Sequence, residues 1–393
     1  MITASAEHAM TDEDLVAGAV QLQPLLRENA FAADVMRRLP DNVIRSLTNA
    51  GFFRMQKPRR FGGYDVKFRT VLQVVEALGR ANGSAAWLVA VAAGANALVR
   101  CGSQRVQSEV FRSPDARIAG SLRPGTACRV DGGLSVTGSW PYSSGAPHAD
   151  WVGVGAAVRE QDGTEAESYI CLVPAGELEL RDSWHTVGMR GTASQTFVAE
   201  QLYVPEYRLI SLGAAMDGPA PSGDSEHAPA LAVSGGVLML GALIGLGSAA
   251  ADFVVEKAPS KSMQGTAFAR QSDSVGVQVQ LAQAMLHLHT AQLHAFELAD
   301  ALDAGDIVGG EAGYPRRAQA RAQCGYAVQQ VLDAIQTLMN IHGAGGFADS
   351  SPLQQYWRDA NTAARHALFN AYVGYEVFGK SLLGVPERIS AFV

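Results

Sequence analysis

The sequence predicts a mainly helical protein with a β-domain inserted between two helical regions. Near the start of the chain, and again towards its end, apolar residues recur at steps of three and four, as in amphipathic helices. Between these regions, short alternating runs are bounded by Gly, Pro and Asp, which is typical of strands. The predicted organisation is an N-terminal helical domain (1–115), a middle β-domain (116–212), a linker (213–229) and a C-terminal four-helix bundle (230–393).

The composition is that of a soluble globular protein. The chain has 393 residues, of which 48% are hydrophobic and 18% charged, and this length suggests two or three domains. A net charge of −7 without a Lys/Arg run argues against nucleic-acid or membrane partners. Four widely separated cysteines and no visible signal peptide predict reduced thiols in a cytoplasmic protein.

The N-terminal region is predicted to contain several helices. Helical periodicity is clear at 16–26, 43–47 and 71–78, and the Ala-rich, nearly uncharged stretch 84–98 is expected to be buried. We expect Asp41 to cap the helix that contains Val43, and Gly51 to end that helix.

The middle region is predicted to be a compact antiparallel β-domain. Its strand-like runs are 118–122, 128–130, 134–140, 151–158, 168–173 and 197–204. Between two of these runs, Trp140, Tyr142, Ser143 and Ser144 concentrate two aromatic rings and two hydroxyls. Such a segment can offer a planar ligand both a stacking ring and hydrogen bonds. The pattern alone leaves open a hairpin whose rings simply fill a core.

The C-terminal region is predicted to be a helical bundle. Long helices are expected at 230–257, 275–303, 315–341 and 352–382. The uncharged stretch 228–251 is long enough to span a bilayer, but it lacks basic flanks and an aromatic belt, so we predict a helix buried among other helices. Residues 214–229 are rich in Pro, Gly, Ser and Asp and are predicted to be a surface linker.

Two patterns are weak evidence for the chemistry they suggest. Residues 343–348 satisfy G-x-G-x-x-A, but they follow a predicted helix rather than a strand, so a dinucleotide fold is not indicated. A glycine joint whose amides can approach a phosphate is the alternative there. His287, His289 and His294 lack the spacing of a zinc site, and no metal is predicted.

Serine and histidine side chains are the further candidates for catalysis. No G-x-S-x-G elbow surrounds Ser143 or Ser144, so hydrogen-bond donation is preferred over a nucleophilic role. His366 is predicted to lie on the last long helix, where it is either structural or, if it faces a pocket, a general base with a pKa near neutrality.

Several motifs in order resemble the acyl-CoA dehydrogenase superfamily, and more closely its flavin-dependent two-component monooxygenases of the aromatic hydroxylase type. The resemblance runs from about residue 39 to residue 384. Its motifs are AGFF (50–53) with PRRFGG (58–63), WPYSSG (140–145), WHTVGMRGTAS (184–194) and IHGAGGF (341–347) with WRDA (357–360). Ala193 replaces a glycine of the third motif.

The resemblance implies a flavin bound between the β-domain and the bundle of a homotetramer, or at least a dimer. The implied flavin contacts are Trp140, Tyr142, Ser143, Ser144, Trp184, Arg190, Thr192, Ser194, Gly343, Gly345 and Gly346. Reduced FAD or FMN, supplied by a separate reductase, would react with O2 at the flavin C4a position to give a hydroperoxide. Its distal oxygen would pass to an electron-rich aromatic or heteroaromatic small molecule.

The resemblance also implies roles for individual residues. His366 would be the base that removes a phenol or indole proton, and Ser143 or Ser144 would stabilise the flavin adduct. Asn96 and His148 are further candidates for polar contacts with the substrate.

Alternatives on the same fold are an acyl-CoA dehydrogenase and an N-oxygenase of amino sugars; a flavin-free binding protein is a third class. A dehydrogenase needs a carboxylate base, but the two places where the family carries it are Ala367 and the glutamate-free stretch 241–245. The dehydrogenase R-x-x-F-G element is also missing, since Lys261, Phe268 and Arg270 have a different spacing, so FAD versus FMN stays open.

Overall fold

The computed structural model describes residues 10–159, 165–217 and 231–393. Its helices before the sheet are α1 (Asp12–Glu28), α2 (Ala30–Met36), α3 (Asp41–Asn49), α4 (Phe68–Gly79), α5 (Gly83–Arg100) and α6 (Gln104–Val110). The strands are β1 (Ile118–Val130), β2 (Gly133–Ser143), β3 (Trp151–Arg159), β4 (Glu165–Pro174), β5 (Glu179–Arg181), β6 (Gln195–Pro205) and β7 (Leu209–Ser211). The later helices are α7 (Leu212–Asp217), α8 (Leu231–Lys257), α9 (Val275–Ala304), α10 (Gly310–His342), α11 (Pro352–Ala363) and α12 (Ala371–Leu382). The predicted fold class is confirmed.

The start of α3 differs from the prediction. Pro40 is the N-cap, and Asp41 is the first helical residue, whose side chain makes no capping hydrogen bond. The helix ends at Asn49, and Gly51 lies just beyond it with φ of 76°, where a side chain would overlap the ring of Tyr64. Gly51 is therefore not the residue at which the helix ends. Glycine is required there because the turn that follows the helix has a positive φ and no room for a side chain.

The sheet is mixed rather than purely antiparallel. Its strand order is β5-β6-β2-β1-β3-β4-β7, and β1 and β3 run parallel. The two separate runs predicted at 118–122 and 128–130 form the single strand β1, whose pairing with β3 shifts register between Ser121 and Gly125. The segment after β2 crosses over the start of β1, so that Trp151, the first residue of β3, pairs with Ile118, the first residue of β1. The two strands therefore run in the same direction.

The last predicted helix is broken. The stretch 352–382 forms α11, a 3₁₀ turn at Ala367–Phe369, and α12. His366 is therefore not on a helix. Its side chain accepts the amide hydrogen of Leu368 at the start of the 3₁₀ turn, and Asn370 accepts that of Val373 at the start of α12. These side-chain acceptors favour the break, because they satisfy amides that a continuous helix would pair internally.

One hydrophobic core joins α4 and α5 to α8, α9 and α10, and a second fills the sheet around Trp140. The glycines of α8 allow close helix packing, because a Cβ at Gly245 would lie 2.7 Å from the Cα of Gly79 on α4. Two helices, α5 and most of α8, are long and apolar enough to cross a membrane, but both are mostly buried inside the protein. The predicted linker starts within α7, and its remainder lies outside the described residues.

Candidate active site

Two segments that are distant in sequence meet at the edge between the sheet and the helices. The amide of Gly145, after β2, donates to the carbonyl of Thr192 at 2.8 Å. The hydroxyl oxygens of Ser144 and Ser194 are 2.8 Å apart, and those of Thr192 and Ser194 are 2.7 Å apart. We call Ser144, Thr192 and Ser194 the hydroxyl cluster. It combines residues from two of the motifs found in the sequence.

Three of the six described non-glycine residues with positive φ lie in or next to these two segments. Tyr142, Met189 and Ala193 have φ values of 64°, 53° and 45°, a left-handed conformation that favours glycine. Each such residue costs on the order of 1–3 kcal/mol and persists only where the surrounding structure enforces it. Glycine would adopt the same conformation at Ala193 with less strain. Strain of this kind is typical of functional sites.

Trp140 and Ser143 do not face an open surface. Both are fully buried. The indole of Trp140 donates to the carbonyl of Gly155 at 2.9 Å, and the Ser143 hydroxyl donates to the carbonyl of Trp140 at 3.1 Å. The predicted cofactor contact of Trp140 and the predicted catalytic role of Ser143 are therefore replaced by structural roles. These two side chains shape the end of β2, which presents Tyr142 and Ser144.

Two aromatic rings line the open side of the same region. Tyr142 is 72% exposed, and its ring meets Trp184 edge-on at 6.1 Å between centroids. The indole of Trp184 donates to the carbonyl of Met189 at 2.9 Å, which ties it to the strained turn. Exposed aromatic surface next to hydroxyl groups suits a planar, polar-edged ligand.

Arg190 is tied to the N-terminal helices. Its Nε donates to the Asp34 carbonyl at 2.9 Å, and Nη1 donates to the Thr186 carbonyl at 3.2 Å. Arg358 also pairs with the Asp34 carboxylate at 2.9 Å. Arg190 therefore fixes the turn to α2, and its guanidinium is already engaged where a flavin contact was predicted.

Asp359 holds the strained turn from the other side. Its carboxylate accepts the amide hydrogen of Met189 at 2.5 Å, in a fully buried position. Burial raises the pKa of Asp359 to about 7, although this hydrogen bond and the charge of Arg358 act in the opposite direction.

Trp87 on α5 connects the hydroxyl cluster to His366. Its indole donates to the Ser144 hydroxyl at 3.2 Å. The Trp87 ring also meets the ring of His366 edge-on at 5.6 Å and that of Phe369 at 6.4 Å. The structure thus brings together Ser144 and His366, which were predicted from separate motifs, through an aromatic residue that the motifs did not include.

His366 lines a deep but open position. Part of its side-chain surface is exposed to water. Protein atoms nevertheless occupy most of the space around the imidazole, which desolvates it. Burial, together with the positive charge of Arg321, lowers the pKa of His366 to about 4, whereas a value near neutrality was predicted. The imidazole is therefore neutral at physiological pH.

The glycine turn after α10 lies next to basic side chains. A Cβ on Gly345 would be 3.3 Å from the Lys261 ammonium and 3.9 Å from His342. Burial, with the charges of Lys261 and Lys257, lowers the pKa of His342, whose Nδ1 is buried without a hydrogen-bond partner. The amides of Gly343 and Gly346 already donate, to the carbonyls of Met339 and Gly343. The nearby ammonium and the imidazole nitrogen without a partner among the described residues are what suit an anionic group such as a phosphate.

The two predicted substrate contacts have other side-chain neighbours, although the amide of His148 donates to the carbonyl of Gly145 at 2.8 Å. Asn96 is buried, and its amide donates to the carbonyl of Phe53 at 3.0 Å, so it supports the N-terminal helices. His148 lies against Arg38 and Arg117, and burial and these two charges lower its pKa to about 4.

The histidines of α9 have ordinary neighbours. His287 contacts Gln330 at 2.6 Å, and His294 meets Tyr326 edge-on at 5.2 Å. Within the described ranges, no group of three or more potential ligands is placed to hold a metal ion.

Sequence reasoning missed Trp87 and Arg321 and set Lys261 aside. Trp87 is the one large aromatic residue in the Ala-rich stretch 84–98, a signal that could have been used. Lys261 was dismissed on its spacing, but the loop after α8 brings it to the glycine turn. Arg321 has no local signal, because its neighbours become visible only in three dimensions.

Two family models match the chain: the N-terminal domain of acyl-CoA dehydrogenases over residues 21–113 and their C-terminal domain over residues 238–371. The oxygenase subunit HsaA of a flavin-dependent monooxygenase from Rhodococcus jostii is 31% identical over 373 residues. That alignment covers 93% of this chain and 97% of the relative. This chain belongs to the flavin-dependent monooxygenases.

Other relatives of this monooxygenase agree. The oxygenase component of an FADH2-dependent resorcinol hydroxylase from Rhizobium sp. is 28% identical, with 95% of each chain covered. The structure of XiaF from Streptomyces sp. in complex with FADH2 and glycerol is 34% identical, has a TM-score of 0.90, and matches 96% of this chain and 97% of its own. The monooxygenase is thus an oxygenase component of a two-component system. The prediction of a monooxygenase rather than a dehydrogenase is confirmed.

Proposed function

We propose that this monooxygenase hydroxylates an electron-rich aromatic small molecule in the cleft between the hydroxyl cluster and His366. The observation that carries the proposal is Trp87, which donates to Ser144 and packs against His366. Trp87 thereby links a group suited to the flavin with a group suited to the substrate, and this link supports the proposal. The names of the relatives, which include resorcinol and p-hydroxyphenylacetate hydroxylases, support an aromatic substrate.

The hydroxyl cluster and the rings of Tyr142 and Trp184 would hold the isoalloxazine. Within the cluster Ser144 is only half-buried and would offer its hydroxyl to the polar edge of the flavin, whereas Thr192 and Ser194 are buried and hold Ser144 in place. The exposed ring of Tyr142 would offer apolar contact. Of the two adjacent serines, we infer that Ser144 makes the polar contact, because its side chain is only half-buried whereas Ser143 is fully buried. When bound, reduced flavin together with O2 supplies an electrophilic oxygen atom.

The glycine turn would hold the flavin tail. Gly343, Gly345 and Gly346 carry no side chains and so let the tail approach the backbone closely, and Lys261 and His342 lie beside them. We infer that FAD is the cofactor, because this basic turn suits the diphosphate of FAD. The 34% identical XiaF structure contains FADH2, which supports the same choice.

Binding of reduced and oxidised flavin tests this function directly. Because a separate reductase must deliver the cofactor, we expect the protein to bind reduced FAD more tightly than oxidised FAD. Titration of both forms under anaerobic conditions, followed by mixing with O2 and a panel of phenols, measures affinity and hydroxylation. Tight binding of oxidised FAD that an acyl-CoA then reduces would contradict the proposal.

We also propose that the protein is a homotetramer, or at least a dimer. Apolar side chains on α9 are exposed in the isolated chain, namely Val275, Val279, Met285, Leu286 and Leu293. An apolar face of this kind is typical of a surface covered by another subunit.

Sedimentation should show an oligomer at micromolar concentration. Replacing Leu286 and Leu293 together by Asp should shift the protein to a smaller species, because buried charges would oppose the contact. Replacing Leu382 and Leu383 by Asp is the matched control, because these two leucines are at least as exposed but lie at the C-terminal end of α12. A wild-type monomer, or an unchanged oligomer in the α9 variant, would show that this face is not the interface.

Water exclusion and location complete the proposal. Trp87 and Phe369 are buried rings beside His366, and they limit the access of water to the reacting groups.

A small-molecule oxygenase that depends on a flavin reductase is expected in the cytoplasm.

A further inference from the structure

Arg321 on α10 is a buried cation without a counter-ion. It is 5% exposed and forms no ion pair with any residue in the described parts of the chain. One guanidinium nitrogen, Nη2, donates to the carbonyl of Ala367, whereas Nε and Nη1 have no hydrogen-bond partner among the residues that the structure describes. Moving an unpaired charge from water into the protein interior costs on the order of several kcal/mol. An arginine retained in this state is suited to stabilise an anion that arrives from outside.

Ala367 follows His366, so this charge lies beside the candidate active site. The charge of Arg321 is close enough to lower the pKa of the imidazole, so the two groups are electrostatically coupled. No acidic side chain contributes to the electrostatic surroundings of either group within the described ranges. The position next to His366 is therefore positive and lacks a negative partner.

The hydrogen bonding of His366 fixes the role of its second nitrogen. Nδ1 accepts the amide hydrogen of Leu368 at 3.3 Å, and the ring is neutral. A neutral imidazole carries one proton, so that proton is on Nε2. The edge contacts with Trp87 and Phe369, at 5.6 and 6.0 Å, restrain the ring plane. Nε2 is thus placed to donate a hydrogen bond, not to accept a proton.

We propose that His366 and Arg321 form an oxyanion site that binds the substrate as a phenolate. The Nε2–H of His366 donates to the phenolate oxygen, and Arg321 supplies the balancing positive charge. This inference rests on the proposed aromatic hydroxylation and names its substrate class: a phenol, rather than an indole or a thiophene. It replaces the predicted base role of His366 with that of a hydrogen-bond donor.

The atoms and electrons of the reaction balance without a protein base. The phenol releases its hydroxyl proton to water on binding, which makes the ring more electron-rich. One atom of O2 forms the new bond to the ring carbon, whose hydrogen leaves as a proton. The other oxygen atom leaves as water, with the two electrons coming from the reduced flavin. His366 keeps the same proton throughout.

Two substitutions at His366 separate a donor from a base. In His366→Gln the side-chain amide nitrogen reaches the position of Nε2, whereas in His366→Asn the shorter side chain can replace only Nδ1 as the acceptor for Leu368. We expect His366→Gln to lose less than about tenfold in hydroxylation rate and His366→Asn to lose about 10²–10³-fold, as for a removed oxyanion donor. A base role predicts equal losses in both variants and would overturn the inference.

Binding of 4-nitrophenol gives a readout independent of turnover. The wild-type protein should bind its yellow phenolate form below the solution pKa of this phenol, seen by visible absorption. Arg321→Lys should keep this preference, and Arg321→Met, which removes the charge together with the hydrogen bond to the carbonyl of Ala367, should lose it. Circular dichroism checks that both variants fold. Binding of the neutral phenol, or of neither form, to the wild type overturns the inference. A wild type that hydroxylates no phenol would instead contradict the proposed function.

Discussion

His366→Ala is expected to lower hydroxylation by about 10²–10⁴-fold, the range for losing a side chain that donates or transfers a proton at the reacting group. The candidate flavin contacts come from other segments, chiefly the hydroxyl cluster and Tyr142. Flavin affinity and O2 consumption should therefore stay close to wild type, and hydrogen peroxide should appear in place of product. Measuring hydroxylated product, hydrogen peroxide and flavin binding together tests this expectation.

The pH dependence of the same variant adds a second test. Because the pKa of His366 is lowered to about 4, the imidazole gains a proton only as the pH falls through that value. The ratio of wild-type to His366→Ala rates should therefore stay constant between about pH 5 and pH 8. If this ratio of rates instead decreases as the pH is lowered through about 6.5, His366 titrates at its ordinary value.

Gly188→Ala is expected to weaken flavin binding by at least about tenfold and to lower the free energy of unfolding by roughly 1–3 kcal/mol, the usual cost of forced overpacking. A Cβ at this position would overlap the carbonyl of Arg358 and lie 2.6 Å from the hydroxyl of Thr362. The backbone would have to move away from α11, and it would carry the adjoining strained turn with Thr192 and Ser194. Titration with reduced FAD and urea unfolding measure the two effects.

Gly379→Ala is the matched control for that substitution. Gly379 lies inside α12, where a Cβ would meet no atom within 4 Å. Alanine there should leave flavin affinity unchanged and stabilise the protein by up to about 1 kcal/mol through helix propensity. Wild-type flavin affinity in Gly188→Ala would mean that the turn after Gly188 does not contact the flavin.

The order of the elements was predictable because it depends on local patterns. Helical and strand periodicities identified the two helical regions and the sheet, and α8 was recognised as a buried helix from its lack of charge. The parallel pairing of β1 and β3 was not predictable, since it depends on where the segment after β2 carries the chain. The break at His366 was also missed, because side-chain acceptors and not glycine or proline mark it.

The motifs that form the candidate site were predictable from the sequence. Which of their side chains lie together and which are buried was not. Ser143 and Ser144 are adjacent, and only the direction of the chain after β2 decides that Ser143 is buried and Ser144 joins the hydroxyl cluster. Trp140 belongs to the same motif, but packing turns its ring into the sheet.

The sequence by itself determined the fold class, the flavin-type motifs and the absence of a glutamate at the dehydrogenase positions, because these are properties of residue type and spacing. The tertiary structure alone decided that Trp87 joins Ser144 to His366 and that Arg321 has no counter-ion within the described ranges. The physical reason is that hydrogen bonding, burial and electrostatic coupling depend on distances between residues far apart in the chain. No local pattern records those distances.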